Sequence, residues 1–275
     1  MSEVVASIDD SSATSAVCDY AAWACLRMAT PLTLLHVLDH LLDWTTADIS
    51  GDVDQVNHEQ LHLENGVLEA RLEQSQRILA EAKARIMLLG LDEPKARQRI
   101  GELSDTLRQW DTEIRLLVMG RCGESQGTDI GSQVEGVVRA LHNPILLTPG
   151  TFTVPQNLMV AFDGSSPAWR AVEMLIANPL FHGLPVHLVM VGTETAVMRV
   201  RLNTACARLT AGGFTVYKSF RPGEPAATLN TYQAEQGVDV LVMGAYGHSR
   251  IHQLLIGSTT TSLLRTASVP LLIVH

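Results

Sequence analysis

The sequence predicts an α/β protein made of doubly wound parallel sheets, and three observations carry that reading. Short runs of Val, Ile and Leu, such as residues 32–37 and 186–191, are continuous rather than alternating, as expected of strands covered on both faces. Helical patterning separates these runs, and strand–helix alternation builds a parallel sheet with its ligand crevice at the carboxyl ends of the strands. The chain also matches itself, so the whole pattern occurs twice.

The internal match can be followed element by element. Residues 4–12, VVASIDDSS, align with residues 158–166, LMVAFDGSS, and the runs 32–37 and 186–191 lie at the same offset of 154. In the first pair an apolar strand ends in Asp9 or Asp163, followed by small polar residues suited to capping a helix. Arg99-Ile-Gly101-Glu-Leu then corresponds to Arg221-Pro-Gly223-Glu-Pro, and the run ending at Gly120 to the run ending at Gly244. Each half closes on an apolar run that follows a proline, Pro144 or Pro270. The turn-rich join at residues 148–151 sets the expected domains at 1–150 and 151–275.

Composition narrows the function classes. The chain has 275 residues, 46% hydrophobic and 18% charged, which is ample for buried cores. Its formal net charge of −9, with no block of Lys or Arg, argues against nucleic acid as a principal partner. No apolar stretch approaches the roughly 18 residues of a membrane span, and the first residues do not read as a signal peptide, so the expected address is the cytoplasm. Cys18, Cys25, Cys122 and Cys206 are scattered and form no Cys-x-x-Cys, which reads as reduced thiols rather than a disulfide frame.

The stretch richest in chemistry is 242–260, VMGAYGHSRIHQLLIGSTT. Gly244 and Gly247 are followed, nine residues further on, by Gly257 and Ser258, with Thr259 and Thr260 behind them. Glycines let backbone N–H groups turn against a phosphate, and the start of a helix favours negative charge. Ordinary strand-to-helix turns would use the same residues, and the loop has no Walker lysine, so it is not a P-loop. Gly-x2-Gly-x9-Gly-Ser after a strand resembles the phosphate loop of the universal stress protein family. Both halves resemble that family, and residues 156–275 resemble it most.

The resemblance implies two five-stranded sheets of the adenine nucleotide alpha-hydrolase-like type, each with strand order 3-2-1-4-5. It further implies an internal pseudo-dimer of the two halves, with pairing of whole chains into a homodimer as an additional option. In the second half it implies ATP, with or without Mg. Asp163 and Val191 would hold adenine, Gly223 and Met243 would border sugar and base, and Gly244, Gly247, Gly257 and Ser258 would surround the phosphates. Thr259 and Thr260 add hydroxyls. A helix N-cap is the plainer role for Asp163. His248, Arg250 and His252 lie in the loop, but no carboxylate follows it to align a water, so the expectation is a binding protein acting as a stress-response regulator or adaptor, with no catalytic residue assigned. A slow ATP-hydrolysing or adenylyl-transferring enzyme of the same fold is the alternative.

The first half departs from this pattern. Only seven residues separate Gly123 from Gly131, and Glu124 and Asp129 bring negative charge into the loop, so ATP is expected to bind there weakly or not at all. This puts Asp9 and Val37 in doubt as contacts. Residues 40–90 carry a helical insertion whose apolar stripe, from Leu61 through Leu68, Leu72, Leu79, Ala82 and Ile86 to Leu89, is expected to pack on the domain. Gly66 is expected to interrupt or start that helix. His58-Glu59-Gln60-Leu61-His62 fits His-Glu-x-x-His, in which both imidazoles share a helix face and can hold zinc, with Glu59 as base and Glu81 at a spacing for a third ligand, so a zinc-binding protein or hydrolase is the second alternative. A polar helix face is the plainer reading, and His36 is expected to be a satisfied core histidine.

Overall fold

The computed structural model describes residues 2–38, 53–121, 132–244 and 258–275. Among the described residues ten strands form a single sheet. The first five are β1 (Glu3–Ser7), β2 (Leu32–Leu38), β3 (Lys95–Ile100), β4 (Ile114–Gly120) and β5 (Ile145–Thr148). The last five are β6 (Leu158–Ala161), β7 (Val186–Val191), β8 (Val216–Arg221), β9 (Leu241–Gly244) and β10 (Leu271–Val274). Their order is β3-β2-β1-β4-β5-β10-β9-β6-β7-β8, so each set of five follows the expected 3-2-1-4-5 arrangement.

The two sets are not separate sheets. β5 and β10 pair antiparallel, with Leu147 opposite Leu271 and Ile145 opposite Ile273, while every other pairing is parallel. Last strands that are four-residue apolar runs, ILLT and LLIV, have a free ladder edge that each completes with the other. Around this seam Tyr20 meets Phe152 edge-on at 4.7 Å, and Arg27 donates from Nε to the Leu180 carbonyl at 2.9 Å.

Helices cover both faces. One face carries α1 (Thr14–Met28), α2 (Val53–Leu88), α5 (Ser166–Ala177) and α6 (Ala196–Ala211). The other carries α3 (Leu103–Gln109), α4 (Ser132–Ala140), α7 (Pro225–Gln236) and α8 (Ser258–Thr266). Central strands are therefore buried on both sides, which is why they read as unbroken apolar runs. The outermost strands differ from the expected apolar runs. β3 reads KARQRI and is largely exposed, β8 reads VYKSFR and is mostly half-buried, and both carry charges that discourage edge pairing.

The helical insertion proves to be one unbroken helix. α2 runs straight through Gly66, where a mid-helix glycine costs about 1 kcal/mol, less than the packing of the rest supports. It occupies the same crossover as α6 and is 36 residues long against 16. Leu79, Ala82 and Ile86 are buried as expected, but Leu89 falls beyond the helix and is exposed. His36 is the satisfied core histidine the sequence suggests, its Nδ1 2.5 Å from the Ser75 hydroxyl of α2. Burial lowers its pKa below the usual histidine value. Cys18 and Cys25 are free and buried, and burial pushes both thiols up to about 12. Among the described residues no helix is long and apolar enough to cross a membrane.

Candidate functional site

In the second half, the carboxyl ends of β6, β7 and β9 open onto a cavity of about 310 Å³. That is within the lower range of small-ligand pockets. Asp163, Val191, Met243, Gly244, Thr259 and Thr260, all named from the sequence, line it together. They come from three strand ends and the first turn of α8, so only the fold brings them together.

Each is positioned by a local cause. After β6 the chain turns at Gly164, whose φ of +76° favours glycine. Asp163 accepts a hydrogen bond from the Ser165 backbone N–H at 2.8 Å, and Ser165 rather than Asp163 caps α5. Asp163 is thus an exposed carboxylate whose one described hydrogen bond orients it at the cavity wall. Val191 ends β7 in register with Arg221 of β8. Gly244 ends β9 beneath the start of α5, where an added Cβ would lie 2.3 Å from the Pro167 carbonyl carbon. Its lack of a side chain is a packing requirement. Thr260, in the first turn of α8, is buried.

Gly223 does not line the cavity. It turns the chain from β8 into α7 with φ +128°, and a Cβ there would lie 2.5 Å from Thr228 Oγ1. Gly247 and Gly257 lie outside the described residues, as do His248, Arg250 and His252. Ser258 begins α8. Sequence reasoning missed the apolar lining, Ala161, Phe162, Ala168, Val189, Pro225 and Leu229. Val189 shares a strand face with Val191, and Leu229 lies one helical turn from Pro225, so both periodicities held the signal.

Among the described residues the lining has one charge, Asp163, and two hydroxyls, with apolar and backbone surface between them. Such a surface suits a flat heteroaromatic ring. Two of the helices starting here are already capped. Ser165 accepts from Ala168 N at 3.4 Å, and Glu224 from Ala226 and Ala227 N at 3.2 and 2.8 Å.

The first half presents the same strand ends with different engagements. Asp9 accepts from the Ser11 backbone N–H at 3.1 Å, the Ser11 hydroxyl at 2.5 Å and the Thr14 hydroxyl at 3.1 Å. Gly101 has φ +130°, the counterpart of Gly223. The loop with Gly123 and Gly131 lies outside the described residues. His58 and His62 fall on α2, in a part whose backbone alone is described. Among the described residues no group of three or more His, Cys, Asp or Glu is placed to hold a metal.

Comparison with known proteins agrees with this architecture. The model of the universal stress protein family matches residues 1–149 and 192–275. Universal stress protein Slr1230 of Synechocystis sp. is 29% identical over 266 residues, covering 92% of each chain. A universal stress protein of Archaeoglobus fulgidus superposes with a TM-score of 0.73 at 18% identity, covering 99% of this chain and 97% of its own. One from Pseudomonas aeruginosa gives 0.63 at 14%, covering 99% and 92%. The chain belongs to the universal stress protein family.

Proposed function

We propose that the protein is a pair of universal stress domains, residues 1–150 and 151–275, that binds ATP in the second and acts as a stress-response regulator or adaptor. The observation that carries this reading is the convergence of Asp163, Val191, Met243, Gly244, Thr259 and Thr260 on one cavity. Adenine would lie against Val189, Val191 and Leu229, with its exocyclic amine donating to Asp163. The first N–H groups of α8, with the Thr259 and Thr260 hydroxyls, would face the phosphates, as helix starts do. Among the described lining residues there is no lysine or histidine, and Asp163 is assigned to adenine, so occupancy rather than turnover would be the signal.

The test is to denature the purified protein and identify released nucleotide by mass spectrometry, then to add ATP to nucleotide-free protein. The expected result is adenine nucleotide bound by the wild type and lost in Ala161→Phe, which places a ring in the cavity. A folded wild type that neither carries nor takes up adenine nucleotide would refute the proposal.

A further inference from the structure

Two arginines at the ends of the edge strands are parked on aromatic rings in the same way. Arg99 lies 5.3 Å from the centroid of Trp110, and Arg221 lies 5.3 Å from the centroid of Tyr232. In both cases the ring follows eleven residues after the arginine, Trp110 at the C-cap of α3 and Tyr232 within α7. Other ring-stacked arginines hold carboxylates as well: Arg97 is 3.5 Å from Glu113, and Arg208 is 3.1 Å from Glu173. Arg221 has no ion-pair partner among the described residues, and its Nε is a buried donor with no hydrogen-bond partner.

Its position gives that unused donor a direction. Arg221 is the register neighbour of Val191, so the two side chains leave the sheet on the same face. Tyr232, on which it rests, is one helical turn from Leu229, and both Val191 and Leu229 line the cavity. The phosphate end is out of reach. Gly244 is on β9 and Arg221 on β8, three strand spacings apart in the order β9-β6-β7-β8, or about 14 Å at the usual spacing.

We infer that Arg221 is a ligand-positioning residue that leaves Tyr232 to donate N–H hydrogen bonds to an acceptor on the base-and-ribose end of the nucleotide, an inference that rests on the ATP-binding reading above. Without ligand the guanidinium is held by the ring and its Nε is unsatisfied; with ligand the donor is used. An uncharged acceptor, a ring nitrogen or a ribose hydroxyl, is what this end of a nucleotide offers. Arg99 provides the matched reference, because it has the same stacking in the half whose Asp9 is already engaged.

The experiment compares adenosine, AMP and ATP by isothermal titration on the wild type, Arg221→Gln, Arg221→Lys and Arg99→Gln, with melting curves alongside. Arg221→Gln is expected to weaken all three ligands by about tenfold, as loss of a charge-assisted hydrogen bond does. Arg221→Lys should recover part of the loss, and Arg99→Gln should match the wild type. A loss confined to ATP, or Arg221→Gln affinities within twofold of the wild type, would overturn the inference while leaving the ATP site standing. A wild type that binds none of the three would instead overturn the site itself. If Arg221→Gln melts early, the Nε–H resonance of Arg221 in the wild type decides: adenosine is expected to shift it, and an unmoved resonance overturns the inference.

Discussion

At the end of β1 the Asp9 carboxylate accepts three hydrogen bonds from Ser11 and Thr14, whereas at the end of β6 the Asp163 carboxylate accepts one from the Ser165 backbone. The backbone plan is shared: both aspartates follow a central strand, and Gly101 and Gly223 turn with φ of +130° and +128° before the next helix. The difference lies in a few side chains. Asp10-Ser11 and Thr14 make the first carboxylate part of its own turn, while Gly164-Ser165 leave the second facing a cavity. The same five-stranded plan can thus occur twice in one chain while one carboxylate is engaged in its own turn and the other faces a cavity.

The largest effect that would sharpen this comparison is on packing. Gly244→Ala drives a Cβ into the backbone of Pro167, which cannot swing aside as a flexible side chain can. It is expected to cost about 3 kcal/mol, at the upper end for an overpacked site, read as a lower denaturation midpoint. Loss of ATP binding in this variant would therefore say nothing about phosphate contact. The next effect is the exchange of roles. Asp163→Ala is expected to weaken ATP at least tenfold with little change in stability, while Asp9→Ala leaves ATP binding unchanged and costs about 1–2 kcal/mol of turn hydrogen bonds. Titration and chemical denaturation of the two variants check this, and the reverse assignment would break the comparison.

A smaller effect follows from one buried and two half-buried histidines. His36, His187 and His275 all have pKa values lowered mainly by burial, His275 to about 4. Above the ordinary histidine value of about 6.5, His275 is neutral folded or unfolded and contributes no pH dependence. Between 6.5 and 4 the unfolded chain takes up the proton and the folded chain does not, so stability falls as pH falls through that window. His275→Gln should flatten part of this slope in denaturation series from pH 7.5 to 4.5. The smallest effect belongs to α2. Gly66 is exposed within the helix, and an added Cβ meets nothing within 4 Å, so Gly66→Ala is expected to stabilise by about 0.5–1 kcal/mol.

Much of the architecture was legible because its causes are local. Unbroken apolar runs marked the central strands, and the paired Arg-x-Gly-Glu segments located both turns into the third helix of each half. The joining of β5 to β10 was not legible in ILLT and LLIV themselves, which show that an edge needs a partner without saying which; only the internal pseudo-dimer implied by the family resemblance pointed to it. Gly66 misled because propensity is a local penalty, and a 36-residue helix anchored by Ile86, Ala82 and Leu79 overrides it. At the site, the residues carrying polar groups were visible in sequence, while the apolar wall of Val189, Pro225 and Leu229 emerged only once helix and strand faces were set against each other. Gly223 was placed at the ligand because its spacing is right, yet its conformation serves the turn into α7.

The central claim is that one of the two crevices takes ATP, and its most direct test is the stoichiometry of ATP on nucleotide-free protein by isothermal titration. The account predicts one ATP per chain, bound at least tenfold more weakly in Asp163→Ala and unchanged in Asp9→Ala. Two ATP per chain, or one that survives Asp163→Ala and disappears in Asp9→Ala, would contradict it.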